Sequence, residues 1–165
     1  MPATRAKHTK ISTPEKSRNR RTKASVETRK SDILISIKTP HITNIVARVK
    51  DHEFRKYLIS PSVQRMWFYV SAPDQTLRYV AVVSHGKSVG EIENENGLGN
   101  AAFNAGLKKD VAKFAYEILE LYQLHDPLPI ASLTQTYGIS PPQRYTYVPE
   151  ALFNDVDWKS QDRLF

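Results

Sequence analysis

The sequence predicts an α+β fold: a small mixed β-barrel with short peripheral helices, preceded by a disordered basic tail. Three observations predict it. Apolar β-branched and aromatic runs recur from residue 33 to residue 148, with short helical patterns between them rather than alternating regularly with them. The cationic excess is confined to the first 32 residues. No internal repeat runs through the chain.

The tail comes first. Residues 1–32 carry ten Lys and Arg against Glu15, Glu27 and Asp32, which accounts for the whole net charge of +7. Residues 33–165 carry fourteen charges of each sign. A nucleic-acid role for the folded part therefore needs a local patch and cannot rest on net charge. From Met1 to Lys30 the large apolar residues are Met1, Ile11 and Val26, too few to offset the entropy of ordering the segment. Its densest stretch holds Lys16, Arg18, Arg20, Arg21 and Lys23. Such a run reads as a nuclear import address, as a set of phosphate contacts, or simply as a solubilising tail. The expected boundaries are 1–31 for the tail, 32–157 for the domain and 158–165 for a short C-terminal extension.

Within the domain, Ile33–Ile37 is a short apolar run of the buried-strand kind. Thr39-Pro40 supplies a helix start, with Thr39 as N-cap, and Ile42, Ile45, Val46 and Val49 form one apolar helix face. His52–Tyr57 reads as a strand that places Glu53, Arg55 and Tyr57 on one face and Phe54 and Lys56 on the other. Arg65–Val70 and Leu77–Val83 are two further strands. Residues 84–99 hold four glycines and three glutamates, a long acidic loop suited to gating a cleft or meeting a protein partner. Asn100–Lys108 reads as a short helix, whereas Val111–Leu124 satisfies helical and strand spacing alike. Pro129 opens another helix that Gly138 ends, Arg144–Val148 reads as a closing strand, and Glu150–Trp158 as a last short helix.

The composition excludes several chemistries. The chain has no cysteine, hence no disulfide, thiolate metal site or Cys nucleophile. The histidines His41, His52, His85 and His125 lack ligand spacing and are read as neither metal ligands nor bases. No apolar run approaches a membrane span, and no secretory leader is evident, so the expectation is a protein that is not secreted, nuclear before cytoplasmic. No cofactor and no metal are expected. The glycines of residues 84–99 do not spell a phosphate-binding fingerprint.

The string Ile33-Leu-Ile-Ser-Ile-Lys38, the helix after it, Lys50-Asp-His-Glu53-Phe-Arg55-Lys56, and Arg65-Met-Trp-Phe-Tyr69-Val-Ser71-Ala-Pro73 together resemble the opening of ASCH domains, a PUA-like family. The family motif is glycine, any residue, lysine, two residues, glutamate, one residue, arginine. Lys50, Glu53 and Arg55 match it, while Arg48 stands where the glycine belongs. The resemblance is close over residues 33–73 and loose to about 148. It implies that Lys113–Leu119 is a strand of a PUA-like barrel and that Arg144–Val148 closes it.

The resemblance also implies a cleft lined by Lys50, Glu53 and Arg55. A carboxylate between two cations can accept hydrogen bonds from a base while the cations hold phosphate. Lys38, Lys56 and Ser71 join the candidate set by position, as do Gln143 and Arg144 before the closing strand. The bland alternative is a surface ion pair of Glu53 with Arg55 or Lys50, worth about 0–1 kcal/mol. Trp67, Tyr69 and Tyr57 are possible stacking platforms, as are Tyr145 and Tyr147, but large aromatics are mostly core, and Trp67 is read that way.

The function expected is a nucleic-acid-binding module, RNA before DNA, selecting a modified or unpaired base. A second expectation is an amidohydrolase on acylated nucleosides, which the resemblance suggests for some small relatives. Lys50 and Arg55 match their motif, but Glu53 replaces the threonine, and the separate glutamate has only Glu91, Glu93, Glu95 or Glu117 to correspond to it. A third is a protein-interaction module of a transcription or repair complex, using the loop 84–99.

Overall fold

The computed structural model describes residues 26–165. The calls on Lys16, Arg18, Arg20, Arg21 and Lys23 lie outside the described residues. Seven strands form one sheet, β1 (Thr28–Ile37), β2 (His52–Arg55), β3 (Arg65–Val70), β4 (Thr76–Val83), β5 (Phe114–Pro129), β6 (Thr146–Pro149) and β7 (Asp162–Arg163). The helices are α1 (Thr39–Val46), α2 (Asn100–Asn104), α3 (Ile130–Tyr137) and α4 (Glu150–Asp155), with a 3-10 turn at Trp158–Ser160. No helix among the described residues is long and apolar enough to cross a membrane.

The strand order is β2-β5-β4-β3-β1-β6, with β7 on β5. β1 runs parallel to β3, and the other pairings are antiparallel. The sheet is strongly mixed but not closed, which corrects the barrel expected from the sequence. β2 pairs only with Phe114–Glu117 at the start of β5, and β6 pairs only with β1, so the two end strands never meet through backbone. Side chains span the seam instead: the Tyr57 hydroxyl donates to the Arg144 carbonyl at 3.0 Å, and the Tyr57 and Tyr145 rings lie 5.7 Å apart.

The ambiguous segment is the longest strand. Residues 114–117 of β5 pair with β2, residues 118–129 pair with β4, and register shifts near Val83 and Leu77 let it bend from one neighbour to the other. Its mixed periodicity reflects that change of surroundings. Strand β1 begins at Thr28, four residues before the expected domain boundary, because it extends back to pair with Val148 and Pro149. The last eight residues are also engaged, through Trp158 in the core and β7 on β5. α1 starts with Lys38, not Thr39, as its N-cap, and the Lys38 carbonyl accepts the first amides, from His41 and Ile42.

Both faces of the central strands are covered. Ile33, Ile35, Ile37, Met66, Phe68 and Val70 pack inward with Ile42 and Ile45 of α1. Leu34, Trp67, Tyr69 and Val80 pack outward under Leu133 of α3 and Leu152 of α4. Trp67 is thus core. Its indole N–H donates at 2.7 Å to Asp32, a fully buried carboxylate that also receives two bonds of 2.7 Å from Arg65 and one of 2.6 Å from Ser31. Asp32 and Arg65 are register partners, so this ion pair fixes the parallel β1–β3 alignment at its first rung.

α1 ends in a Schellman turn. Ala47 is the C-cap, Arg48 takes a left-handed backbone (φ 58°), and the Val49 amide donates back to Asn44 at 2.9 Å. The family motif has glycine at this position, and a left-handed φ is the conformation glycine adopts without steric cost.

Two outcomes follow. Asp32→Ala should lower stability by about 3–5 kcal/mol in urea melts, since it strands the Arg65 charge and the Trp67 N–H in the core. Arg48→Gly should be neutral or stabilising by up to about 1 kcal/mol in the same melts, whereas the β-branched Arg48→Val should destabilise by more than that.

Candidate ligand cleft

The Schellman turn reverses the chain and delivers Lys50 directly into β2. There Lys50 Nζ lies 2.5 Å from one oxygen of Glu53, and Arg55 Nη2 lies 2.9 Å from the other. Arg55 Nη2 also donates to the Ser36 carbonyl of β1 at 2.9 Å. Lys50 and Glu53 are each 5 % exposed. This excludes the surface ion pair: the Lys50 and Glu53 charges have left water, and the two cations depend on the shared carboxylate, as it depends on them, to offset desolvation.

The clamp stands between two lobes of one cleft. The larger, about 460 Å³, is lined by Lys50, Glu53, Phe54, Leu98 and Val111, with His41 and Lys108 at its margins. The smaller, about 300 Å³, is lined by Ser36, Lys38, Arg55 and Ser71. Glu53, Phe54 and His41 border both. Each volume lies in the range of small-molecule sites.

The larger lobe has an aromatic wall flanked by cations. The Phe54 ring leans on Phe103 at 5.3 Å, and the ammonium groups of Lys50 and Lys108 lie 5.2 and 5.4 Å from its centre. The loop after β4 supplies the facing wall through Leu98 and Gly99. That loop is fastened, not loose. Asn104 takes the amides of Gly90 and Ile92, the Leu98 amide donates to Val49, and Asn100 bonds Asp51 at 2.8 Å. Gly97 is required there, because a Cβ would run into Asp51 and Asn100. Burial works to raise the Asp51 carboxyl, but hydrogen bonds from His52 and Asn100 outweigh it and hold Asp51 below its ordinary range.

The smaller lobe is polar and cationic. Lys38 is exposed at its rim, Ser71 sits beside it, and the buried Nε of Arg55 has no hydrogen-bond partner among the described residues.

Of the residues named from sequence, the fold gathers Lys38, Lys50, Glu53, Arg55 and Ser71 around one cleft. Lys56, Gln143 and Arg144 line neither lobe. Lys56 lies beyond the last paired residue of β2 and is exposed, and Gln143 and Arg144 precede β6 on the far side of the seam. Phe54, placed on the opposite face by alternation, borders both lobes because β2 is an edge strand and the cleft wraps its free side. His41, set aside for want of ligand spacing, and Lys108 were missed. Only the fold brings them to β2.

Glu117, one of the glutamates weighed for hydrolysis, pairs with Lys87 at 2.5 Å. Glu91 caps the Ser88 amide and Glu95 accepts from Asn104. Glu91, Glu93, Glu95 and Glu117 all lie outside the lining of the cleft.

Partial burial, then the nearby Lys50 ammonium, holds the His41 imidazole below its usual value of 6.5. The folded chain therefore binds fewer protons than the unfolded one just below pH 6.5, and stability from this group falls as pH drops from there through the lowered midpoint. An NMR titration should place the His41 midpoint below 6.5, with Lys50→Met raising it and Glu53→Gln lowering it further.

No protein-family model matches the chain, and no curated protein matches it in sequence. Solved structures do. The ASCH protein of Zymomonas mobilis superposes with a TM-score of 0.54 at 20% identity, covering 76% of this chain and 93% of that one. Two single-residue variants of it give 0.61 at 17% and 0.58 at 16%, covering 78% and 76% of this chain and 96% and 95% of theirs. At such identity the likeness speaks for backbone architecture, and on that ground the protein has an ASCH-type, PUA-like fold.

Proposed function

We propose that the protein is a nucleic-acid-binding module whose cleft takes an unpaired nucleotide, with RNA the first ligand to test. The observation that carries this reading is the position of Glu53, a buried carboxylate clamped by Lys50 and Arg55 at the junction of an aromatic lobe and a cationic one. The two linings correspond to the two ends of a nucleotide. A base fits the larger lobe against Phe54, and its ring or exocyclic N–H groups meet the remaining lone pairs of Glu53. Phosphate oxygens fit the smaller lobe, where Lys38, Ser71 and the partly exposed guanidinium of Arg55 offer donors. Because the clamp is held by two cations before any ligand arrives, little ordering is required on binding. The basic tail adds phosphate contacts that do not depend on sequence.

The test compares nucleosides with nucleotides by NMR shift perturbation and calorimetry. Nucleotides should bind more tightly than nucleosides, and Lys38→Ala should erase most of that difference. Glu53→Gln should reorder the preference among bases while leaving the salt slope of RNA binding nearly intact. Removing residues 1–25, which spares β1, should weaken RNA binding uniformly and flatten its salt slope. Nucleotides that leave the signals of His41, Phe54 and Lys108 unmoved would sink the assignment.

A further inference from the structure

The seam between β2 and β6 carries a row of alternating cations and tyrosines. Lys30 Nζ stands 4.1 Å above the Tyr147 ring. Tyr147 meets Tyr145 edge-on at 6.0 Å, Tyr145 meets Tyr57 at 5.7 Å, and the Arg144 guanidinium lies 4.2 Å over Tyr57. The three tyrosines are half-buried and pack against the core, with Lys30 over Tyr147 and Arg144 over Tyr57 as exposed side chains that a ligand can displace or stack upon. Neither cation forms an ion pair among the described residues. A shallow hollow of about 340 Å³ lies along Arg144, Tyr145, Thr146 and Tyr147.

Local sequence explains the placement. The register of β1 against β6 slips between Arg29 and Ile33, and the bulge turns Lys30 over the neighbouring strand. Tyr145, just before β6, and Tyr147, within it, stand two residues apart along extended chain and so point the same way. At its other end the row stops at Tyr57, which lines neither lobe but stands two residues beyond Arg55 of the smaller lobe. Burial raises the Tyr57 hydroxyl above its ordinary range, and the Arg55 and Arg144 charges oppose that rise. Ser36, which lines the smaller lobe, donates to the Pro142 carbonyl at 2.9 Å and ties the segment before β6 to the cleft floor. Seven residues before Lys30 in the chain stands Lys23, the last cation of the tail's dense stretch.

We infer that this row is a second binding surface, a track for single-stranded polynucleotide that runs beside the cleft along Tyr57, Arg144, Tyr145 and Tyr147 to Lys30. The inference rests on the nucleotide reading of the cleft for its direction, not for its chemistry. Tyrosine rings and a guanidinium plane accept stacked bases irrespective of sequence, and the flanking cations meet the phosphates. The natural ligand is then several nucleotides long, and the cleft reads one of them.

The test uses the full chain and fluorescein-labelled oligonucleotides in anisotropy titrations. A single-stranded oligomer of about ten nucleotides should bind at least about tenfold more tightly than a dinucleotide. The double variant Tyr145→Leu/Tyr147→Leu, which keeps apolar bulk on the core, should cost the longer oligomer about tenfold or more. The Tyr145→Phe/Tyr147→Phe pair should restore it, and Arg144→Glu should weaken it without touching the core. Mononucleotide binding in the cleft should be equal in all of these proteins. Comparing RNA with DNA of the same sequence tells whether the 2′-hydroxyl is read, and tight single-strand binding of either supports the track. If mononucleotides fail to bind but the leucine and phenylalanine variants still differ on the oligomer, the track stands and the cleft reading falls. Oligomer affinity indifferent to both the leucine pair and Arg144→Glu overturns the track, as does duplex bound as tightly as single strand, or a tyrosine row that responds only to a protein partner.

Discussion

Three segments far apart in their roles are tied together by one carboxylate. Glu53 receives Lys50 from the turn after α1 and Arg55 from its own strand, and Arg55 passes the connection on to the Ser36 carbonyl of β1. Removing Glu53 leaves two like charges with no counter-charge between them, in a place largely shut off from water. A hydrophobic trio of similar volume would hold these segments at least as firmly, so stability alone does not account for the arrangement. What the ionic version adds is a polar, preorganised surface at the meeting point of two cavities.

The helix terminus that feeds this clamp shows how backbone and chemistry are coupled. A left-handed residue is needed to fold the chain back from α1 within two positions, and Arg48 takes that conformation despite its side chain. The guanidinium group then lies 4.7 Å from the ring of Phe165, so the residue that departs from the family motif reaches the far C-terminus. Segments expected to be accessory, the last eight residues and Thr28–Ser31, are thereby parts of the folded body.

Much of this was legible in the sequence. Strands β1, β3 and β4 announce themselves by apolar runs, and Pro129 and Gly138 bracket α3. The fold type and the Lys50, Glu53 and Arg55 cluster came through resemblance, not periodicity. What stayed hidden depends on tertiary surroundings. β5 changes partners midway, which scrambles its alternation. Phe54 reaches the cleft only because β2 has a free edge, and Lys108 only because the loop after β4 folds over β2. Closure of the barrel failed as an expectation because it depends on β2 and β6 being long enough to meet, and each has four residues.

That unclosed seam has a mechanical meaning. Everywhere else in the sheet, separating two neighbours breaks a ladder of amide bonds cooperatively. Between β2 and β6, among the described residues, ring contacts, one phenolic hydroxyl and a guanidinium bridge the gap, and these break singly. Along that line no backbone ladder resists local opening, while the ladders on either side stay intact.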